Sequence, residues 1–358
     1  MLQARAPGKL ILIGEYAVLE GAPALVAAVN RYSVVSISPS EDEQFYLDAP
    51  TIRMNNIAFR LSGSGSVWFP GNLSGDQQKR LHFFKVTFEY AMQYLHGQGV
   101  RVNPARLLID TGAFFDEKIK AKLGFGSSAA LTVSVIKALF NYTGLPLREE
   151  EDPGRLFRLA LAAHRRAQNG MGSGIDVAAS SFGGVLSYRV AYDNRARQIM
   201  PQAVSPWTEL PMLCVFSGGS ESTRRMVGGV SRLGKKNPGL YKRLMEILGT
   251  VSGQGIAAYT QRDIGGFMEA VDRYHRAMER LGMESGMPII SPVHRQLAET
   301  VRKAGGVYKP SGAGSGDIGL AFTRDETTRR QVQGRLEDAG FRCVDIAIDR
   351  SAGGKPER

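Results

Sequence analysis

The chain has 358 residues, 43% hydrophobic and 22% charged, with 45 Lys and Arg against 34 Asp and Glu for a net charge of +11. That length and apolar fraction fit two domains with packed cores and exclude a disordered or fibrous chain. The basic balance suits either a nucleic-acid binder or a protein whose ligands carry several negative charges, and charge alone does not choose.

No apolar run reaches the roughly 18–20 residues that span a bilayer, and the N-terminal stretch MLQARAPGKLILIGEY has only a short apolar run over 10–13 where a signal peptide needs a longer one. A cytoplasmic protein with no membrane partner is expected. Cys214 and Cys343 lie in strand-like apolar runs, and the five His show no HExxH pattern, so neither structural zinc nor a disulfide framework is expected.

In chain order, the first third reads as strands: LILIGEYAVLEG, ALVAAVNRYSVVSISPS and EQFYLDAP carry β-branched and aromatic residues bounded by Gly, Pro, Asn and Ser. Helical spacing then predicts helices over 81–95, over 129–140 and over 155–168, the last with Leu156, Leu159, Ala160 and Ala163 on one face. After the strand-like GGVLSYR comes a polar stretch from Asn194 to Pro206, the candidate domain boundary. The second half reads strand (PMLCVF), two or more helices over 239–282, a helix over 292–304, strand (DIGLAF), a helix over 326–339 and strand (RCVDIAI). This order predicts an α+β unit with helices on one side of an antiparallel sheet. The tail SAGGKPER is expected to fray.

Three glycine-rich loops interrupt these elements. In KLGFGSSAALTVSVIKALF, Gly124, Gly126, Ser127 and Ser128 stand directly before a long apolar helix, an arrangement that aims backbone N–H groups and the positive helix end at one point and suits a phosphate. The same pattern also serves as an ordinary serine cap. A dinucleotide fingerprint is excluded because the charged stretch DEKIKAK precedes the loop instead of a buried strand. Gly229 to Lys235 resembles a P-loop until Lys236 stands where Ser or Thr is required, and GKKNPG reads as a solvated basic turn. The second loop, around Ser173 and Gly174, presents one acid, Asp176, as a base, an orienting charge or a helix cap. The third runs from Lys309 to Asp317, between VY and the strand IGLAF.

The segments APGKLILIGEYAVLEG, LGFGSSAA and KPSGAGSGD, in this order, resemble the three motifs of the GHMP small-molecule kinases over nearly the whole chain. Within that family the details are most similar to the phosphomevalonate kinases, which favour Tyr and Asp where this chain has Tyr16 and Asp317; mevalonate kinases usually carry His and Cys there. The stretch AHRRAQNGMGSGIDVAASSFGGVLSYR resembles the same subfamily. Phe125 and Ser315 depart from the usual Leu and Gly, and the segment from Phe216 to Thr223 matches only loosely.

The resemblance implies an α+β, two-domain GHMP kinase fold: an ATP-binding domain like ribosomal protein S5 domain 2 over 1–198 and a ferredoxin-like domain over 199–350, with ATP, Mg²⁺ and a small anionic substrate in the cleft. It implies transfer of the γ-phosphoryl group of ATP to phosphomevalonate by a monomer or homodimer. The alternatives are a mevalonate kinase or another kinase with a hydroxyl acceptor and, further off, a non-catalytic metabolite- or nucleic-acid-binding protein; no nucleic-acid partner is expected. Carried over by motif, Lys9 and Asp176 become the catalytic pair. Lys122, Gly124, Gly126, Ser127, Ser128, Ala129, Gly312, Ala313 and Gly314 would hold nucleotide, with Ser128 or Ser127 on the Mg²⁺ side. Tyr16, Ser173, Gly174, Ser222, Arg224 and Asp317 would face the acceptor. Lys120, Arg165, Arg166 and Arg225 are further candidates for a basic cleft, and Glu15 reads as a catalyst or as an internal ion-pair partner.

Overall fold

The computed structural model describes residues 1–349 except 64, 72, 117–119, 146, 148–150, 171, 191–200 and 220–222. Its frame is a long antiparallel hairpin of β1 (Leu2–Ile13) and β2 (Ala24–Pro39), in register from Leu2↔Ile37 to Ile13↔Leu25 with irregularities at Pro7/Gly8 and Ile11/Ile13. The first irregularity falls immediately before Lys9, where β1 also approaches the loop ahead of the long apolar helix: Lys9 N–H donates to Phe125 O at 2.8 Å.

The hairpin is widened by β3 (Phe45–Ala49), β4 (Met54–Leu61), β5 (Val67–Trp68), β6 (Ala105–Asp110), β9 (Val185–Tyr188) and β10 (Gln202–Val204), in the order β10-β9-β2-β6-β3-β4-β5 with β1 on β2. A short hairpin, β7 (Phe115–Asp116) with β8 (Ala121–Lys122), leads into the phosphate-type loop. Helices α1 (Gly75–Gly97), α2 (Ser127–Thr143), α3 (Arg155–Ala167) and α4 (Ile175–Phe182) complete this half. Helix α1 begins six residues before its apolar periodicity does. Its start is written instead in a capping box, in which Ser74 and Gln77 each accept the other's backbone N–H. Helix α2 opens after Gly126 at φ +77° and is followed by Gly144 at φ +69°, and it buries Ala129, Ala130, Val133, Ile136 and Phe140.

The second half contains β11 (Met212–Phe216), α5 (Thr223–Lys236), α6 (Pro238–Gln261), α7 (Ile264–Ser285), α8 (Pro292–Lys303), β12 (Val307–Ser311), β13 (Ile318–Phe322), α9 (Glu326–Asp338) and β14 (Arg342–Val344). The four strands form an antiparallel sheet in the order β12-β13-β11-β14. Its two faces feed different cores. Leu213 and Val215 join Leu297, Val301, Val332 and Leu336 of α8 and α9, whereas Cys214, Phe216, Leu320 and Phe322 join the large core, where Phe322 packs edge-on to Phe267 of α7. Helices therefore cover both faces, not the one side that the element order predicted.

Three further readings change. Residues 202–204, inside the polar stretch expected as a boundary, are strand β10 and pair with β9 of the first sheet. Residues 229–236 are helical and belong to α5, so the expected basic turn shrinks to Asn237, which caps α6 through its side chain. Lys309, Pro310 and Ser311 are strand, which confines the third loop to 312–317. The segment after β14 returns to the first sheet, where Asn30 and Ala347 exchange hydrogen bonds and Asp349 N–H donates to Ala28 O. Residues 194–200 of the expected boundary and the whole tail SAGGKPER lie outside the described residues.

Candidate active site

All three glycine-rich loops and the start of the first hairpin converge on a cavity of about 290 Å³. Lys9 enters it from β1. Its Nζ donates to Gly124 O at 3.3 Å, and its stem runs so close under Gly126 that a Cβ there would stand 2.9 Å from Lys9 Cγ. Gly124, at φ +70°, meets Asp317 of the third loop, whose own Cβ would lie 2.5 Å from a side chain at this position. Glycine is required at both places by the left-handed backbone and by the approach.

Helix α2 starts at this cavity. Its capping residue is a glycine, so no side chain fills the space in front of the first turn, and Ser127 and Ser128 line the wall. The second loop supplies Gln168, Gly172, Ser173 and Asp176. Asp176 lies in the first turn of α4, where Oδ1 accepts from Val177 N–H at 2.9 Å and the side chain keeps 22% exposure. Behind both walls stands His164, 2% exposed, with Nε2 at 3.3 Å from Ser128 Oγ and 3.9 Å from Asp176 Oδ2. Lys9 and Asp176 line the same cavity without an ion pair between them.

Motif one and motif three are locked together beneath this site. Lys309 is fully buried, and its ammonium meets Glu15 Oε1 at 2.5 Å and Ile11 O at 3.4 Å. Glu15 Oε1 also accepts from Gly312 N–H at 3.3 Å, and Ser311 Oγ both donates to Ile11 O and accepts from Ile11 N–H, each at 3.0 Å. Of the two readings of Glu15, the structure takes the ion-pair partner. Burial pushes the Lys309 ammonium below its ordinary pKa, against the pull of Glu15. Tyr16, held at φ +59°, donates to Ala313 O at 2.5 Å, and burial with the Glu15 charge beside it drives its hydroxyl pKa upward. Ser315 and Asp317 are also left-handed, at φ +68° and +62°; Ser315 thus occupies a conformation that suits the glycine usual in the motif it resembles.

Of the residues carried over by motif, Lys9, Tyr16, Lys122, Gly124, Gly126, Ser127, Ser128, Ser173, Asp176, Gly312, Ala313, Gly314 and Asp317 line the cavity. Ala129 is buried behind the wall, Gly174 is buried against Leu161, and Arg224 is exposed on α5, which reaches the cavity through Thr223 and Val227. Ser222 lies outside the described residues. Lys120, Arg165, Arg166 and Arg225 are also off the wall. Desolvation lowers the Lys122 ammonium pKa while Asp317 opposes the shift. In the sequence His164 reads as one more polar residue of the basic helix, beside Arg165 and Arg166.

The donor set suits a nucleotide bearing its own cation. Lys9, Lys122 and the open start of α2 offer positive charge and N–H groups to phosphates. Mg²⁺ in such sites is held by phosphates, waters and one or two protein oxygens. Ser128 Oγ and Asp176 Oδ2 supply oxygens of that kind, and among the described residues no group of three or more His, Cys, Asp or Glu forms a separate metal site.

Comparison with known proteins agrees with this geometry. The GHMP kinases N-terminal domain family matches residues 82–184 and the GHMP kinases C-terminal family matches residues 256–342, together more than half of the chain. A phosphomevalonate kinase of Streptomyces sp. strain CL190 is 29% identical over 365 residues, covering 94% of each protein. A mevalonate kinase of Arabidopsis thaliana is 25% identical over 97% of each. The structure of Streptococcus pneumoniae phosphomevalonate kinase in complex with phosphomevalonate and AMPPNP superposes with a TM-score of 0.79 at 21% identity, covering 97% of this chain and 100% of that one, a likeness of fold. With both family domains in order and their motifs meeting at one cavity, the chain belongs to the GHMP kinases.

Proposed function

We propose that this kinase transfers the γ-phosphoryl group of Mg·ATP to phosphomevalonate, with an ATP-binding domain over 1–198, whose sheet also takes in β10, and a second domain over 199–350. The observation that carries the choice of acceptor is the presence in the cavity wall of Tyr16 and Asp317, at the two positions where phosphomevalonate kinases favour Tyr and Asp; Tyr16 holds the third loop at Ala313, and Asp317 packs on Gly124 of the phosphate-type loop. The relative from Streptomyces supports the same acceptor.

Phosphoryl transfer needs positioning and charge neutralisation more than covalent work by the protein. Bound Mg²⁺ would neutralise part of the charge on the transferred phosphate. Lys9 lies between the phosphate-type loop and Gly312, a position from which its ammonium offsets repulsion between donor and acceptor phosphates. The acceptor is a phosphate monoester whose second pKa is about 6, so it is already anionic near neutral pH and requires no strong base. Asp176 then orients Lys9 or the acceptor. The curated mevalonate kinase relative favours a second reading, a hydroxyl acceptor with Asp176 as its base.

Steady-state ADP release with phosphomevalonate, mevalonate, homoserine and galactose, each with and without Mg²⁺, tests the choice. Mg²⁺-dependent turnover greatest on phosphomevalonate is expected. Faster turnover on mevalonate would overturn the acceptor.

A further inference from the structure

His164 belongs to none of the three loops, yet the walls built by two of them meet on its ring. It lies in the last turn of α3, and its ring tilts against Phe83 with centroids 5.4 Å apart. One nitrogen, Nε2, faces both Ser128 Oγ and Asp176 Oδ2, two groups that line the cavity while His164 itself does not. A bare lone pair on that nitrogen would be repelled by the carboxylate oxygen, whereas an N–H is attracted to both oxygens. The tautomer with its proton on Nε2 follows. Ser128 Oγ then accepts from the imidazole through one lone pair, which leaves its own O–H and its second lone pair for the cavity.

We infer that His164 is a positioning residue: it sets the direction of the Ser128 hydroxyl and ties it to Asp176, so that the phosphate side of the cleft is ordered before ligand arrives. The role rests on the nucleotide reading of this site and extends it to a residue outside the motifs. The plainer account of a buried histidine is a satisfied core residue, filling space beneath α1 and α2. The two accounts differ in what should depend on Ser128.

Mg·ADP affinity, measured by titration calorimetry on the full chain, separates them for the wild type, H164Q, H164N, S128A and S128A/H164N. A glutamine amide reaches the place of Nε2, and the shorter asparagine does not. H164Q is expected to bind like the wild type, and H164N to lose about 10-fold, the usual scale for residues that orient ligand-binding groups from behind. In the S128A background H164N should add no further loss, and in H164N alone the KM for ATP should rise. Wild-type affinity in H164N, equal losses in H164N and H164Q, or a penalty that multiplies that of S128A would overturn the role. Where H164N lowers the melting temperature, H164Q decides: retained affinity supports the role and lost affinity overturns it. A wild type that binds Mg·ADP but phosphorylates no mevalonate-type acceptor would instead overturn the proposed acceptor and leave this cycle readable.

Discussion

Lys9 is held at both ends of its length, by its backbone N–H on Phe125 O and by Nζ on Gly124 O, so its charge is delivered to a fixed place. Lys9→Met keeps the stem and removes that charge; the expected fall in turnover is on the order of 10²–10³-fold, the scale of preorganised electrostatic groups. Asp176→Asn keeps the shape and the acceptor for Val177 N–H, and the fall should be comparable or smaller. The double variant should lose less than the product of the two, because the residues serve one transfer. Rates at saturating ATP and phosphomevalonate, with melting curves beside them, check this; neither single variant should melt much earlier. Full turnover in both single variants would contradict it. Lys9 and Asp176 are reached from the sequence by the motifs that resemble those of the GHMP kinases, since on local pattern alone Asp176 reads equally well as a helix cap. His164 is not, since its oxygen partners sit on two other segments and nothing local distinguishes it from Arg165 and Arg166 beside it.

At the scale of elements, the three loops are placed by what lies under them. The end of β1 and the end of β12 are joined by the buried Lys309–Glu15 pair and by the Ser311–Ile11 hydrogen bonds. Removing one partner of a buried ion pair leaves an uncompensated charge, and Lys309→Met is expected to cost about 3–5 kcal/mol of stability. Adding Glu15→Gln should recover part of that loss. Urea unfolding of the single and double variants checks both, and a single variant as stable as the wild type would contradict them. The loops themselves could be read from clustered glycines before apolar helices. The strand through Lys309 could not, because a lysine, a proline and a serine in a row spell a loop unless the partner carboxylate, far away in the chain, is known. The same limit hid the second covered face of the four-stranded sheet: Cys214 and Phe216 are apolar whichever layer they meet.

Over the whole molecule, the cleft is walled by the first sheet's hairpin and by the loop between β12 and β13, and buried histidines stand behind that loop. His294 Nδ1 accepts from Tyr308 O–H at 2.7 Å and its Nε2–H donates to Gly316 O at 3.3 Å. Burial lowers the pKa of both His294 and His275 to about 4. An unfolded histidine takes its proton near 6.5, so the stability from these two is complete above that pH and is lost as pH falls toward 4. Each histidine should contribute on the order of 3 kcal/mol across that window. Urea melts at about pH 7.5 and about pH 4.5 should show a smaller acid loss in His294→Asn than in the wild type; equal losses would contradict the assignment.

A cleft that joins two phosphates leaves its signature in the ³¹P magnetic resonance spectrum of the product of Mg·ATP and phosphomevalonate. Two coupled doublets of a new P–O–P linkage are expected, with one ADP formed for each. Phosphomevalonate left as an unchanged singlet, while mevalonate supplied in its place becomes a phosphomonoester, would contradict the proposed transfer.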